Sequence, residues 1–214
     1  MRLYIDSSDA GAIAEFLGTG LFSGVTCNPV ILRAGGFGPD TAGDFYDICR
    51  KAGAEEVFLQ SFGRTPEQIV AQGLKYRALG PEIVVKVVGT RIGAAAVAAL
   101  RSRGVPVLMT AAHSAKQAIT AMAARATYVT PYFSEMNAAG KDGLTEMLAM
   151  HQILCAADTD TKFVLAGVHD THTVVRCAQE GIGFATLTPT LAGQFLEEGP
   201  TEEMEKMFNE ASGI

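Results

Sequence analysis

Ile83-Val84-Val85-Lys86-Val87-Val88 is β-branched at every position but one, and the exception is a lysine. A run that is apolar on both faces reads as a strand covered on each side, the setting of a parallel sheet clothed in helices. Outward from it, similar short runs recur at 3–6, 24–28, 56–60, 106–110, 128–132, 162–167 and 184–188. With the central run counted from Glu82, the starts lie 21, 32, 26, 24, 22, 34 and 22 residues apart. Each interval holds one helical pattern, so the spacing is that of repeated βαβ units. Eight such units predict an α/β fold, a single (β/α)8 barrel over 1–214, shorter than the roughly 250 residues usual for it. A doubly wound open sheet is the alternative, but no glycine-rich phosphate loop follows the first strand.

The helices carry their own punctuation. Thr65-Pro66-Glu67-Gln68 is a capping box with proline at the first helical position, and Gly80-Pro81 closes that helix. The segment 91–103 is alanine-rich and stops at Gly104, while 140–157 sets Leu144, Met147, Leu148 and His151 at helical spacing. Pro200-Thr201-Glu202-Glu203 reads as an N-cap with acids in the first turn, followed by an apolar stripe of Met204, Met207 and Phe208. A barrel needs no helix beyond its eighth unit, so 200–214 is expected to be a C-terminal helix that serves oligomerisation.

Composition narrows the function classes. A chain that is 48% hydrophobic is too apolar for disorder, yet it has no uninterrupted apolar run long enough to predict a membrane helix. Asp6 falls where a secretory leader needs an apolar stretch. A net charge of −6, with no basic block, argues against nucleic acid as a partner. Cys27, Cys49, Cys155 and Cys177 are far apart and form no CxxC pair. That argues against a zinc site or a disulfide framework and fits a reduced, cytoplasmic setting. An enzyme or a small-molecule binder remains.

In a barrel, chemistry sits at the carboxyl ends of the strands. Those ends read Asp6, Asn28, Gln60, Lys86, Thr110 and Tyr132 in order. Each alone has an ordinary explanation: Asp6 as the cap of a helix starting near Ser8, Asn28-Pro29 as a turn, Thr110 as a good strand residue, Tyr132 as core. Together they would ring one mouth. Lys86 differs from the others, because it shares the parity of Val84 and Val88 inside an apolar wall. A charged ammonium there is costly unless paired or deprotonated, and a neutral amine attacks carbonyl groups. Snorkelling from an edge strand would be the alternative, but a closed barrel has no edge. Imine chemistry also needs a proton shuttle and donors for substrate hydroxyls, and Asp6, Gln60, Thr110, Tyr132 and Asn28 are suitable groups.

These residues resemble the short transaldolase family, and especially its fructose-6-phosphate aldolase branch, essentially end to end. LYIDSSD (3–9) is similar to the family's first-strand pattern, GVTCNP (24–29) to its GVTTNP signature with Cys27 for Thr, and VVKV (84–87) to its Schiff-base strand. Thr110-Ala111, Pro131-Tyr132 and His151-Gln152 fall at corresponding places. The resemblance implies that Lys86 forms an imine with C2 of a ketose. It implies that Asp6 orients hydroxyls near the cleaved bond and that Thr26 and Asn28 belong to the donor pocket. It also implies that Gln60, Thr110 and Tyr132 hold the water used in proton transfer. Transaldolases usually carry Glu and Phe in place of Gln60 and Tyr132, so this pair resembles the aldolase branch, which releases dihydroxyacetone. The expected substrates are sugars or sugar phosphates, with no metal or cofactor, and the expected assembly is a homo-oligomer, a pentamer or decamer. Transfer of dihydroxyacetone between sugar phosphates, and a non-catalytic sugar-binding barrel, are the alternatives.

The chain also departs from that family. Where the family places an Arg for substrate phosphate after the sixth strand, this chain has Glu135. Where it has a Ser and a Lys after the seventh, Val168 and Asp170 are expected to stand, and no proline follows two residues after Lys86. A phosphate carries about two negative charges, which carboxylates repel. Either the acceptor has changed, or His113, Lys116, Arg91, His169 or His172 supplies another anion site. His169 and His172 could also be read as metal ligands, but no third ligand accompanies them.

Overall fold

A computed structural model describes residues 1–214. The chain opens with β1 (Arg2–Asp6), α1 (Ala10–Gly18), β2 (Phe22–Thr26) and α2 (Pro29–Ala34). A short 3-10 turn leads to α3 (Ala42–Lys51), followed by β3 (Glu56–Gln60), α4 (Pro66–Arg77), β4 (Ile83–Val88) and α5 (Arg91–Arg101). Next come β5 (Val107–Ala112), α6 (Lys116–Ala123), β6 (Tyr128–Pro131), α7 (Phe133–Ala138) and α8 (Gly143–Ala156). The chain finishes with β7 (Lys162–Phe163), α9 (Thr171–Gln179), β8 (Phe184–Leu187), α10 (Pro189–Leu196) and α11 (Gly199–Ala211).

All strand pairs are parallel, in the order β7-β6-β5-β4-β3-β2-β1-β8. The ring then nearly closes, because Leu165, just beyond β7, bridges to Ala185 of β8. The eight strands therefore form the barrel that the spacing predicts. The seventh is shorter than the expected 162–167, and the reason is chemical. Continuing the ladder past Phe163 would need an amide donor at position 131 for the Val164 carbonyl, and Pro131 has none. The Thr130 hydroxyl donates to that carbonyl instead, at 2.7 Å.

Alternation along the strands divides the core in two. One set, including Ile5, Val25, Val57, Leu59, Val85, Val87 and Met109, joins the cluster of 46 buried residues that packs against the helices. The other set, Tyr4, Phe58, Val84, Leu108, Tyr128 and Val164, forms a separate cluster filling the barrel axis. Continuing that second parity toward the strands' carboxyl ends gives Asp6, Gln60, Lys86, Thr110 and Thr130, while toward their amino ends it gives Arg2 and Glu56.

The caps show why the loops lie where they do. Thr65 accepts from the Gln68 amide at the start of α4, with Pro66 in the first turn, as predicted. Asp9, not Asp6, caps α1 by accepting from Ala12 N at 2.7 Å, which leaves Asp6 without that structural duty. The final helix starts at Gly199 with Glu198 preceding it and no side-chain cap, so the cap expected near Thr201 is not formed. No residue of α11 is buried, and Met204, Met207 and Phe208 are 45%, 50% and 56% exposed. No helix of the chain is long and apolar enough to cross a membrane.

Candidate active site

At the carboxyl end of the barrel a cavity of about 90 Å³ opens, lined by Asp6, Thr26, Asn28, Lys86 and Tyr132 together with Glu135. Five of the seven candidate site residues thus meet around one space. Gln60 lines an adjoining cavity of about 510 Å³ with Phe37, Phe62 and Tyr76, and Asn28 borders both. Gln60 remains next to Lys86, its cross-strand partner in the β3–β4 register. Thr110 is completely buried behind the small cavity, not on its wall.

Lys86 is 6% exposed, and none of the chain's four ion pairs includes it. Across the cavity, Asp6 Oδ1 accepts from the Thr26 hydroxyl at 2.6 Å. Thr26 Oγ1 also lies 2.6 Å from Thr186 Oγ1. Because the Thr26 proton goes to the carboxylate, Thr186 must be the donor in that second contact. Burial pushes the Asp6 carboxyl above its ordinary range, against the opposing pull of the Lys86 charge and the Thr26 hydrogen bond. Asn28 caps α2 with Oδ1, which accepts from Val30 N at 2.9 Å and Ile31 N at 3.0 Å, so only its amide Nδ2 remains for a ligand. Cys27, in the place of a threonine, is buried and lines the adjoining cavity with Gln60, not the one that holds Lys86. Its Sγ lies 3.6 Å from the Phe58 carbonyl, and burial pushes the thiol up to about 12.

Two buried oxygens at this end have no hydrogen-bond partner in the protein, Gln60 Oε1 and Thr110 Oγ1. Such groups cost about 1–3 kcal/mol each when left unpaired, and they belong to the trio expected to hold a water. Strand β5 is irregular at this point: its register shifts between Met109 and Ala112, and Ala111 has φ of +59°. A non-glycine residue in that region is strained, and a bulge of this kind re-aims the side chains beside it. The chain then continues to His113, whose Nδ1 lies 2.8 Å from the Ala111 carbonyl and whose ring centre is 6.1 Å from that of Tyr132.

The expected charge reversal after the seventh strand needs correction. Val168 is buried, and Asp170 serves as the N-cap of α9, accepting from Thr173 N at 2.7 Å. Ala166 and Gly167 are the residues there that reach the cavity. Glu135 does line the cavity, as expected. None of His113, Lys116, Arg91, His169 and His172 does. His151 is on the outer layer, 3.1 Å from the Glu180 carbonyl. Thr130 and Thr186 are cavity residues that reading strand ends one by one missed. The parity they share with Tyr128 and Phe184 was the available signal.

Solved structures with similar folds include a thiamine phosphate pyrophosphorylase from Pyrococcus furiosus, with a TM-score of 0.61 and 12% identity over 90% of this chain and 87% of that one. A mandelate oxidase aligns with a TM-score of 0.64 and 11% identity, over 90% of this chain and 65% of the other. At such identities they speak for the barrel alone. Sequence relatives are more specific. A protein of Caulobacter sp. (strain K31) named "Probable transaldolase" is 29% identical over 209 residues, covering 97% of this chain and 94% of its own. One of the same name from Methanococcus maripaludis is 27% identical over 212 residues, covering 98% and 90%. The family model described as Transaldolase/Fructose-6-phosphate aldolase matches residues 3–213, and the chain belongs to that family. It is an enzyme of the aldolase type.

Proposed function

We propose that the chain is a class I, Schiff-base aldolase. It would cleave the C3–C4 bond of a ketose, or of its phosphate ester, reversibly to dihydroxyacetone and an aldehyde such as glyceraldehyde 3-phosphate. The observation that carries this reading is a buried lysine, joined to no carboxylate, on the inner face of a barrel strand beside a cavity that it shares with a buried Asp. Lys86 Nζ adds to the C2 carbonyl, and loss of water gives an iminium. The C3–C4 bond then breaks and its electron pair flows into the iminium, forming an enamine. The C4 hydroxyl proton passes to Asp6, whose raised proton affinity suits a base in a buried site, and the aldehyde departs. The enamine takes a proton at C3 from Tyr132 through a water held by Gln60 and Thr110, the proton on Asp6 returns through water to the Tyr132 oxygen, and hydrolysis frees dihydroxyacetone and Lys86. The imine is itself the electron sink, so this scheme calls on no metal or cofactor.

A second reading, transfer of the dihydroxyacetone unit to another sugar phosphate, is favoured by the names of the relatives. Tyr132 and Gln60 favour release, since a phenol can deliver the proton that a phenyl ring cannot. Borohydride reduction with dihydroxyacetone, followed by mass measurement, tests both against a non-catalytic barrel: a covalent adduct is expected and its absence would sink the proposal. Tyr132→Phe is expected to slow release far more than adduct formation. If the native protein transfers to erythrose 4-phosphate much faster than it releases dihydroxyacetone, the transfer reading holds. We further propose that the whole chain works as one barrel and that the uncovered face of α11 docks on another copy, giving a pentamer or decamer. A mass of 22.5 kDa in solution would refute the assembly. The working compartment in this proposal is the cytoplasm, which keeps the four free cysteines reduced.

A further inference from the structure

The cavity carries more negative than positive charge. Asp6, Glu135 and Lys86 are the charged groups on its wall, and Lys86 is the only basic one. In the aldolase reading its nitrogen is committed to C2, so the wall of this cavity has no further cation for the acceptor end of a substrate; Arg33 lines the adjoining cavity instead. The other carboxylates near this rim have structural duties. Asp142 and Asp170 cap α8 and α9, and Glu146 accepts from the Ala115 amide at 2.6 Å. Glu135, in the first turn of α7, caps nothing and joins none of the four ion pairs. A free carboxylate on a binding wall accepts protons from hydroxyl groups and repels a phosphate, which carries about two negative charges.

Resting on the aldolase reading, we propose that Glu135 is a specificity-determining residue that selects an unphosphorylated hydroxyaldehyde as the acceptor, by accepting hydrogen bonds from its hydroxyls. Specificity of this kind comes as much from rejecting the competitor as from holding the substrate. The Thr26 hydroxyl is tied to Asp6, that of Thr186 to Thr26, and that of Thr130 to the Val164 carbonyl, so they offer little to a phosphate.

The test measures acceptor kcat/KM with dihydroxyacetone as donor and either glyceraldehyde or glyceraldehyde 3-phosphate as acceptor, on the native protein, E135Q and E135R. The native protein is expected to favour the unphosphorylated acceptor, with a phosphate-to-free kcat/KM ratio below one. E135R is expected to raise the phosphate-to-free ratio by at least about tenfold, with E135Q in between. A native preference for the phosphate overturns the assignment, as does a ratio that neither substitution moves. A preference of more than about tenfold for an acceptor with an ammonium in place of the terminal hydroxyl would also overturn it, because Glu135 would then be selecting cations. Borohydride trapping with dihydroxyacetone alone separates the two layers of argument. A native protein that does not trap brings down the aldolase reading itself, whereas one that traps and prefers the phosphate brings down only the role of Glu135.

Discussion

The barrel interior is polar at both ends, and the two ends treat their polar groups in opposite ways. At the amino ends of the strands, Glu56 accepts from Tyr4 at 2.6 Å and Tyr128 at 2.8 Å, and Arg2 pairs with it at 3.2 Å. The unpartnered atom there, Arg2 Nε, belongs to a guanidinium already held by Glu55 and Glu56. This network closes on itself. Burial and the Glu56 carboxylate push the Tyr4 and Tyr128 phenols upward, Tyr128 to about 12, so both remain donors. At the carboxyl ends, Lys86 makes no ion pair and Gln60 Oε1 and Thr110 Oγ1 have no partner. A satisfied buried network adds rigidity, whereas an unsatisfied one lowers stability and leaves groups available to a substrate. The same strands carry both, a few residues apart.

The largest expected contrast comes from breaking each end in turn. Lys86→Met removes the amine but keeps similar volume. Borohydride trapping with dihydroxyacetone should vanish, while stability in denaturant should hold or rise, because a polar group buried in an apolar wall without an ion pair has gone. Glu56→Ala should do the reverse. It strands two phenols and leaves Arg2 to Glu55 alone, which should cost about 2–4 kcal/mol in reversible unfolding, while trapping by the folded protein persists. If Lys86→Met proved the more destabilising of the two, the division into a structural and a chemical end would fail.

How much of this was legible in the sequence follows from the same contrast. The strands were readable because βαβ units repeat locally, and Lys86 stood out because five β-branched residues surround it. The Glu56 network was not readable. Its members are 52 and 72 residues apart, and a Glu or Tyr at the start of a strand looks like an ordinary solvent-facing residue until the barrel closes. Thr130 and Thr186 were passed over for a related reason: their place depends on which parity faces the axis. Asp170 was misread because a carboxylate after a strand can face a mouth or cap a helix, and only the Thr173 amide decides between them. The cap of α1 falls to Asp9 and not, as the sequence suggests, to Asp6, because the Ala12 amide meets Asp9.

A smaller effect sharpens the comparison within one pair of threonines. Thr130 Oγ1 serves the Val164 carbonyl, which Pro131 cannot, and Thr110 Oγ1 serves nothing in the protein. Thr130→Val should therefore cost about 1–2 kcal/mol, while Thr110→Val should be neutral or stabilising by up to about 1 kcal/mol. Their effects on dihydroxyacetone release should be reversed, with the Thr110 variant the slower. Equal losses of stability in both would mean that the Thr110 hydroxyl has a structural partner.

The smallest effect is a slope against pH. Burial raises the Asp6 carboxyl above its ordinary value of 3.8, so between that value and its raised one the folded protein holds a proton that the unfolded chain has released. Stability varies with pH as the unfolded minus the folded proton count, which is negative in that window. Asp6 therefore contributes a loss of stability as the pH rises from about 3.8, levelling off above the raised value. Asp6→Asn removes the titration and should remove that component. The native-minus-variant difference in unfolding free energy should decline across the window and be flat above it. A difference that increases instead would mean that the Lys86 charge and the Thr26 hydroxyl outweigh burial. Asp6 would then be a carboxylate held charged by its neighbours, and the carboxyl end of the barrel would be better satisfied than its open oxygens imply.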